Sequence, residues 1–126
     1  MKNQSSKDTA ALPASLSKEE YCYLTTTGRV SGKPHEIEIW FGILDGTLYL
    51  LSGGGDKSDW VKNIIGNSAV TVRIAKHTFV GTARVVNDEN EAAPVRKVLA
   101  AKYQQWRPGG RLSNWARTAL PVAIKF

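Results

Sequence analysis

His35-Glu36-Ile37-Glu38-Ile39-Trp40-Phe41-Gly42-Ile43-Leu44-Asp45-Gly46-Thr47-Leu48-Tyr49-Leu50-Leu51-Ser52 carries the clearest periodicity in the chain. His35, Ile37, Ile39, Phe41 and Ile43 fall on one side, and Glu36, Glu38 and Trp40 on the other. A period of two is that of a half-buried strand with one polar face, so residues 35–44 are expected to form a single strand. Asp45-Gly46 is a two-residue hairpin signal, and Thr47–Ser52 is the returning strand. One antiparallel pair is thus set locally.

Upstream, Tyr21–Thr27 is rich in aromatic and β-branched residues and runs into the turn Gly28-Arg29-Val30-Ser31-Gly32-Lys33-Pro34. Ser17-Lys18-Glu19-Glu20 has the spacing of a capping box, which predicts a short helical turn before that strand. Downstream, Gly53-Gly54-Gly55 breaks the sheet, and Ser58 is placed to cap a short helix whose stripe is Trp60, Val61, Ile64 and Ile65. Ala69–Ile74 alternates, with Val70, Val72 and Ile74 on one side; Thr78–Val86 makes a further strand, and Lys76-His77 is the expected connection. Asp88 opens a longer helix carrying Val95, Val98, Leu99, Tyr103 and Trp106, in which Pro94 marks either a kink or the true start. A short helix near Ser113–Ala119 and a strand at Pro121–Phe126 follow. About six strands with two or three helices, joined by short loops, predict a mainly β, α+β fold: an antiparallel barrel in one domain over residues 17–126, behind a flexible tail over 1–16.

With 126 residues, two domains are not expected. No apolar run is long enough to cross a bilayer, and the first residues lack the apolar core of a secretory signal. Cys22 is alone, so disulfides and cysteine metal centres are excluded, and a cytoplasmic home with a buried thiol is expected. A net charge of +6 makes the preferred partner anionic: nucleic acid, an anionic membrane face or a phosphorylated cofactor.

The common nucleotide and metal motifs fail. Gly28–Lys33 is one residue short of a phosphate loop, and Pro34 stands where Ser or Thr is needed. The Gly triplet is not GxGxxG, the two histidines have no acidic cluster, and no nucleophile–base pair is visible. The aromatics are not grouped as base-stacking platforms, so no nucleic-acid partner is expected. There remains a Gly triplet leading into a helix N-terminus beside Lys57 and Lys62, which reads as an anion site or as a plain turn. Asp56 and Asp59 oppose the anion reading, and Asp59 is also a candidate capping residue.

Leu24-Thr25-Thr26-Thr27-Gly28-Arg29-Val30-Ser31-Gly32-Lys33-Pro34 resembles the signature "LTTxGRxSGxPR" of the deazaflavin-dependent nitroreductase family, within the split β-barrel flavin and deazaflavin oxidoreductases that include pyridoxamine phosphate oxidase-like proteins. Ser52-Gly53-Gly54-Gly55 followed by Trp60-x-x-Asn63 is similar to its second motif. The resemblance implies a split barrel, a homodimer, and a reductase moving a hydride from coenzyme F420 to a small enone, quinone or nitro acceptor. FMN, or binding without turnover, is the alternative. It also implies cofactor contacts from Arg29, Ser31, Lys33 and His35 in the basic turn, from Glu36 and Ile37 on the strand, from Ser52, Gly53, Gly54, Lys57 and Ser58 in the loop, and from Trp60 and Asn63 on the helix. His35 stands where the family commonly has Arg, and Trp60 stands where flavin-binding relatives carry Lys, which favours F420. Tyr103 and Trp106 are candidates for the substrate side, with Tyr103 as proton donor; core packing of their helix is the simpler reading. Trp40 is left as ring platform, dimer contact or barrel plug.

Overall fold

The computed structural model describes residues 12–126. Its seven strands are β1 (Cys22–Thr27), β2 (Pro34–Ile39), β3 (Gly42–Leu44), β4 (Thr47–Ser52), β5 (Ala69–Ile74), β6 (His77–Val85) and β7 (Leu120–Lys125). Three α-helices accompany them: α1 (Asp59–Gly66), α2 (Glu89–Gln104) and α3 (Asn114–Thr118). The sheet order is β2-β1-β5-β6-β7-β4-β3, every neighbouring pair antiparallel.

The strand expected over residues 35–44 is two strands, and this correction explains the closure. β2 pairs with β1 at one edge of the sheet, while β3 pairs with β4 at the other. Only Trp40 and Phe41 lie between them, so the two edges approach within the span of three peptide steps, roughly 11 Å. A seven-stranded sheet whose first and last strands are so joined must curl into a split barrel.

The break has an identifiable cause. A buried backbone must place its N–H and C=O groups somewhere. Those of Phe41 go to α2: its N–H donates to the Tyr103 hydroxyl (3.0 Å), and its carbonyl accepts from Lys102 Nζ (3.0 Å). Gly42 allows the helix to come this close, since a Cβ there would lie 2.8 Å from Leu99 Cδ1.

The remaining turns follow local chemistry with small shifts. Asp45 and Gly46 both have positive φ (52° and 77°), as a type I′ hairpin requires. Between β5 and β6 the two-residue loop is Ala75-Lys76, one residue earlier than expected, with Ala75 at φ 53° and Ile74 paired with His77. Ser17 does not cap a helix: residues Ala14–Lys18 form a 3-10 turn in which its hydroxyl donates to the Ala14 carbonyl. Asp88 caps α2 by accepting from the Asn90 N–H, and Pro94 lies inside that helix rather than at its start. The tail expectation falls mainly on residues 1–11, outside the described ones, while Leu12 and Leu16 are buried against the barrel core.

Two apolar clusters result. Leu24, Leu48, Leu50, Val72, Val122 and Ile124 fill the barrel, with α1 contributing Val61 and Ile64. Tyr49, Leu51 and Ala123, on the opposite faces of β4 and β7, pack under α2 against Val95 and Leu99. β4 is therefore buried on both sides. Glu91 ties α2 down by taking two bonds from Arg84 and one from the Tyr49 hydroxyl; the Arg84 guanidinium holds its carboxyl below the usual range.

Candidate functional site

The turn after β1 and the helix α1 are far apart in sequence and adjacent in space. Asn63, 5% exposed, joins them. Its Oδ1 accepts from the Arg29 backbone N–H (3.2 Å) and from Arg29 Nη1 (2.9 Å), and its Nδ2 donates to Thr26 Oγ1 (3.1 Å). Arg29 also reaches Asp59 Oδ1 at 3.2 Å. Above this junction is a cleft of about 530 Å³, walled by the Gly28–Ser31 turn, by His35, Glu36 and Ile37 of β2, and by Asp59, Trp60 and Asn63 of α1.

Seven of the residues singled out in the sequence thus share one cleft: Arg29, Ser31, His35, Glu36, Ile37, Trp60 and Asn63. The others do not line it. Ser52 and Ser58 turn towards each other, Oγ to Oγ at 2.8 Å, and Ser52 also donates to the Gly55 carbonyl. Ser58 occupies the N-cap position of α1 without making the capping bond expected of it. Gly53 lies against Trp115, while Gly54, Lys57 and Lys33 also lie off the cleft wall. Thr26, Gly28, Val30 and Asp59 complete the lining and were not expected as cofactor contacts, although the first three lie within the Leu24–Pro34 motif.

The electrostatics differ from the simple cationic cradle. Arg29 is paired with Asp59, and Glu36 with Arg73 at 3.8 Å, so the cleft wall itself is close to neutral. What it offers is an open sheet edge. Among the described residues β2 is the outermost strand, and its N–H and C=O groups facing away from β1 have no strand partner there. A deazaflavin ring, whose pyrimidinedione edge alternates carbonyls and N–H, matches such an edge, and Trp60 adds an apolar wall. The residues present fit that group.

A second pocket, of about 370 Å³, continues along β2. It is lined by Glu38, Ile39 and Trp40 together with Tyr21, Gln104 and Trp115. Trp40 stacks on Tyr103 (centroids 4.3 Å apart, planes 4° apart) and meets Trp115 edge-on at 5.5 Å. Trp40 is therefore packed within its own chain and walls this pocket. The Tyr103 hydroxyl is committed to backbone: it accepts from the Phe41 N–H and lies 2.8 Å from the Glu20 carbonyl and 3.0 Å from that of Phe41. Burial pushes its pKa up to about 12. It lines neither pocket, an arrangement that suits packing and positioning rather than proton delivery.

Lys102 sits over the Phe41 ring at 3.7 Å, and burial pushes its pKa down to about 8. Cys22 is fully buried, and burial pushes its thiol up to about 12. Below pH 8 both states carry the lysine proton; above it the folded state sheds that proton before the unfolded chain, whose pKa is 10.5. Stability should therefore rise with pH above about 8, until the Cys22 thiol, which ionises near 9.0 when unfolded, cancels the lysine's contribution and levels the profile. Urea midpoints are expected to increase between about pH 7.5 and 9, and Lys102→Met to flatten the rise; a flat wild-type profile would refute this account.

Residues 2–125 match the sequence model of the F420H(2)-dependent quinone reductase family. The fold is shared with an F420-H2 dependent reductase (22% identity, TM-score 0.63, covering 85% of this chain and 94% of that one). A conserved hypothetical protein from Mycobacterium tuberculosis (17%, TM-score 0.69, 92% and 81%) has it too. So has a structure described as a domain-swapped dimer (22%, TM-score 0.63, 85% and 80%). The match spans both motifs and the whole barrel, so the chain belongs to the F420H(2)-dependent quinone reductase family and is a deazaflavin-dependent oxidoreductase working with coenzyme F420.

Proposed function

We propose that the chain moves a hydride from reduced F420, held in the cleft between the Arg29 turn, β2 and α1, to a quinone ring seated against Trp40 and Trp115. The observation carrying this reading is that edge strand β2 serves both pockets, residues 35–37 lining the first and Glu38 and Ile39 the second, with Trp40 just beyond the strand's end. A donor and an acceptor laid along one strand are held side by side, which converts a bimolecular encounter into an oriented one.

When bound, the cofactor supplies the hydride; the protein supplies orientation and a dry surface. Arg29, fixed by Asn63 and Asp59, faces the cofactor's acidic tail. Lys33 and Lys57 add charge outside the cleft, and Ser31 and His35 line its turn side. Glu36 and Ile37 present backbone to the ring, and Trp60 closes one face. Ser52, Gly53, Gly54 and Ser58 act indirectly, by shaping the entry to α1. Trp40 and Trp115 flank the acceptor, and Tyr103 holds Trp40 in place. The proton that completes the hydroquinone comes from solvent.

The enzyme works as a homodimer in this proposal, supported by Val80, 75% exposed on β6, and by the dimeric neighbour. A cytoplasmic location is proposed from the single, buried cysteine. Anaerobic titration of F420 should give saturable quenching of its fluorescence with no retention of FMN. Steady-state turnover with a soluble quinone should then oxidise one cofactor per acceptor. Tight FMN retention with no F420 quenching would overturn the assignment of the cleft.

A further inference from the structure

The positive charge of this protein is not at the cofactor cleft. The last acidic residue is Glu91; seven lysines and arginines follow it, whereas the whole chain carries only +6. Everything before residue 92 is thus nearly neutral, and the excess belongs to α2, α3, β7 and the loop between the two helices. Within this region Arg96 is consumed by Glu89 and by the carbonyls of Ala116 and Ala119, and Lys102 by Phe41. Among the described residues no carboxylate pairs with Arg107, Arg111 or Arg117, all of which are exposed.

The loop that presents them is built rather than loose. The Trp106 indole N–H donates to the Gly110 carbonyl (3.0 Å), the Gly110 N–H to the Arg107 carbonyl (2.9 Å), and the Ser113 hydroxyl to Gln104 Oε1 (2.7 Å). Around these bonds is a hollow of about 440 Å³ with Arg107 and Arg111 on its wall and Trp106 behind them. Trp106 and Leu112 are half-buried, so apolar surface stands beside the two guanidinium groups. Cations next to a tryptophan and a leucine, with no carboxylate paired to them among the described residues, match the boundary between lipid headgroups and acyl chains. Gln104 lines both this hollow and the Trp40–Trp115 pocket.

We propose that the Gln104–Ser113 loop docks the protein reversibly on an anionic phospholipid surface, Arg107 and Arg111 taking headgroup phosphates. Its purpose, bringing the acceptor pocket to the layer in which hydrophobic quinones dissolve, rests on the function proposed above; the binding itself does not. A few surface arginines give a weak, salt-sensitive attachment rather than an anchor.

The test is co-sedimentation of the full chain with phosphatidylcholine vesicles, with and without about 30% phosphatidylglycerol, at roughly 50 and 300 mM salt. Binding is expected only to the anionic vesicles, and mostly at low salt. The double variant Arg107→Glu/Arg111→Glu should bind at least about thirtyfold less, with its melting temperature and F420 quenching unchanged. Brominated lipid should quench the wild type more than Trp106→Phe. Equal binding by the double variant, equal binding to neutral vesicles, or no binding at low salt would each defeat the proposal. So would capture by soluble polyglutamate with indifference to vesicles, which would point to an acidic protein instead. Vesicle binding without quinone turnover would count against the proposed acceptor alone.

Discussion

Replacing Asn63 with alanine is expected to cost about 2–4 kcal/mol of stability and to weaken F420 binding tenfold or more. The side chain makes three hydrogen bonds from a position that is 5% exposed, two to Arg29 and one to Thr26. Its loss strands the Thr26 hydroxyl, itself 2% exposed, and one backbone N–H, and a buried polar group left unpaired costs more than a bond is worth. For a chain of this length the melting temperature should fall by roughly 8–15 °C. The affinity loss has a different origin: Arg29 keeps Asp59 but loses the contact that fixes it over the cleft. Asn63→Asp separates the two effects. It retains an acceptor for Arg29 and can accept from Thr26, so most stability should return, while the added charge still opposes an anionic tail. Calorimetry and fluorescence titration of both variants measure this; an alanine variant within 1 kcal/mol of wild type would show that the turn and the helix are held by something else.

The second large effect is expected at Tyr103. Tyr103→Phe keeps the ring that stacks on Trp40 but removes the acceptor of the Phe41 N–H. The loss should be about 1–3 kcal/mol, seen as a lower urea midpoint. Because this hydroxyl fixes the backbone between β2 and β3, Trp40 should become less ordered and the quinone KM should rise several-fold, with F420 affinity retained. The pH profile decides the role. A positioning residue leaves its limbs where they were, whereas a proton donor would take one of them away in the phenylalanine variant. A large fall in kcat with unaltered stability would restore the proton-donor reading.

These two residues also show how far a linear reading reaches. The alternation in β1 and β5, the Asp45-Gly46 turn and the helix after the Gly triplet are local, because each depends on neighbours within a few positions. The Leu24–Pro34 and Ser52–Asn63 motifs pointed to the deazaflavin enzymes, and the family match over residues 2–125 agrees. The split at Trp40–Phe41 was invisible because its cause lies some sixty residues downstream: a continuous apolar alternation does not reveal that Tyr103 and Lys102 will claim the Phe41 backbone. That the glycine triplet and its serines lie off the cleft wall was hidden for a related reason. Its flanking serines satisfy one another, a pairing that spacing does not encode.

Periodicity and turn chemistry pointed to a mainly β fold, two motifs to a resemblance with deazaflavin enzymes, and residue counts to a surplus of positive charge. Which signature residues meet, and which of the basic side chains stay without a carboxylate partner, was decided by the folded chain. Periodicity records only what a residue's immediate neighbours require. Asn63 against Arg29 and the sheet edges closing at Phe41 arise from contacts between distant segments, whose entropy cost is repaid only when the whole barrel forms.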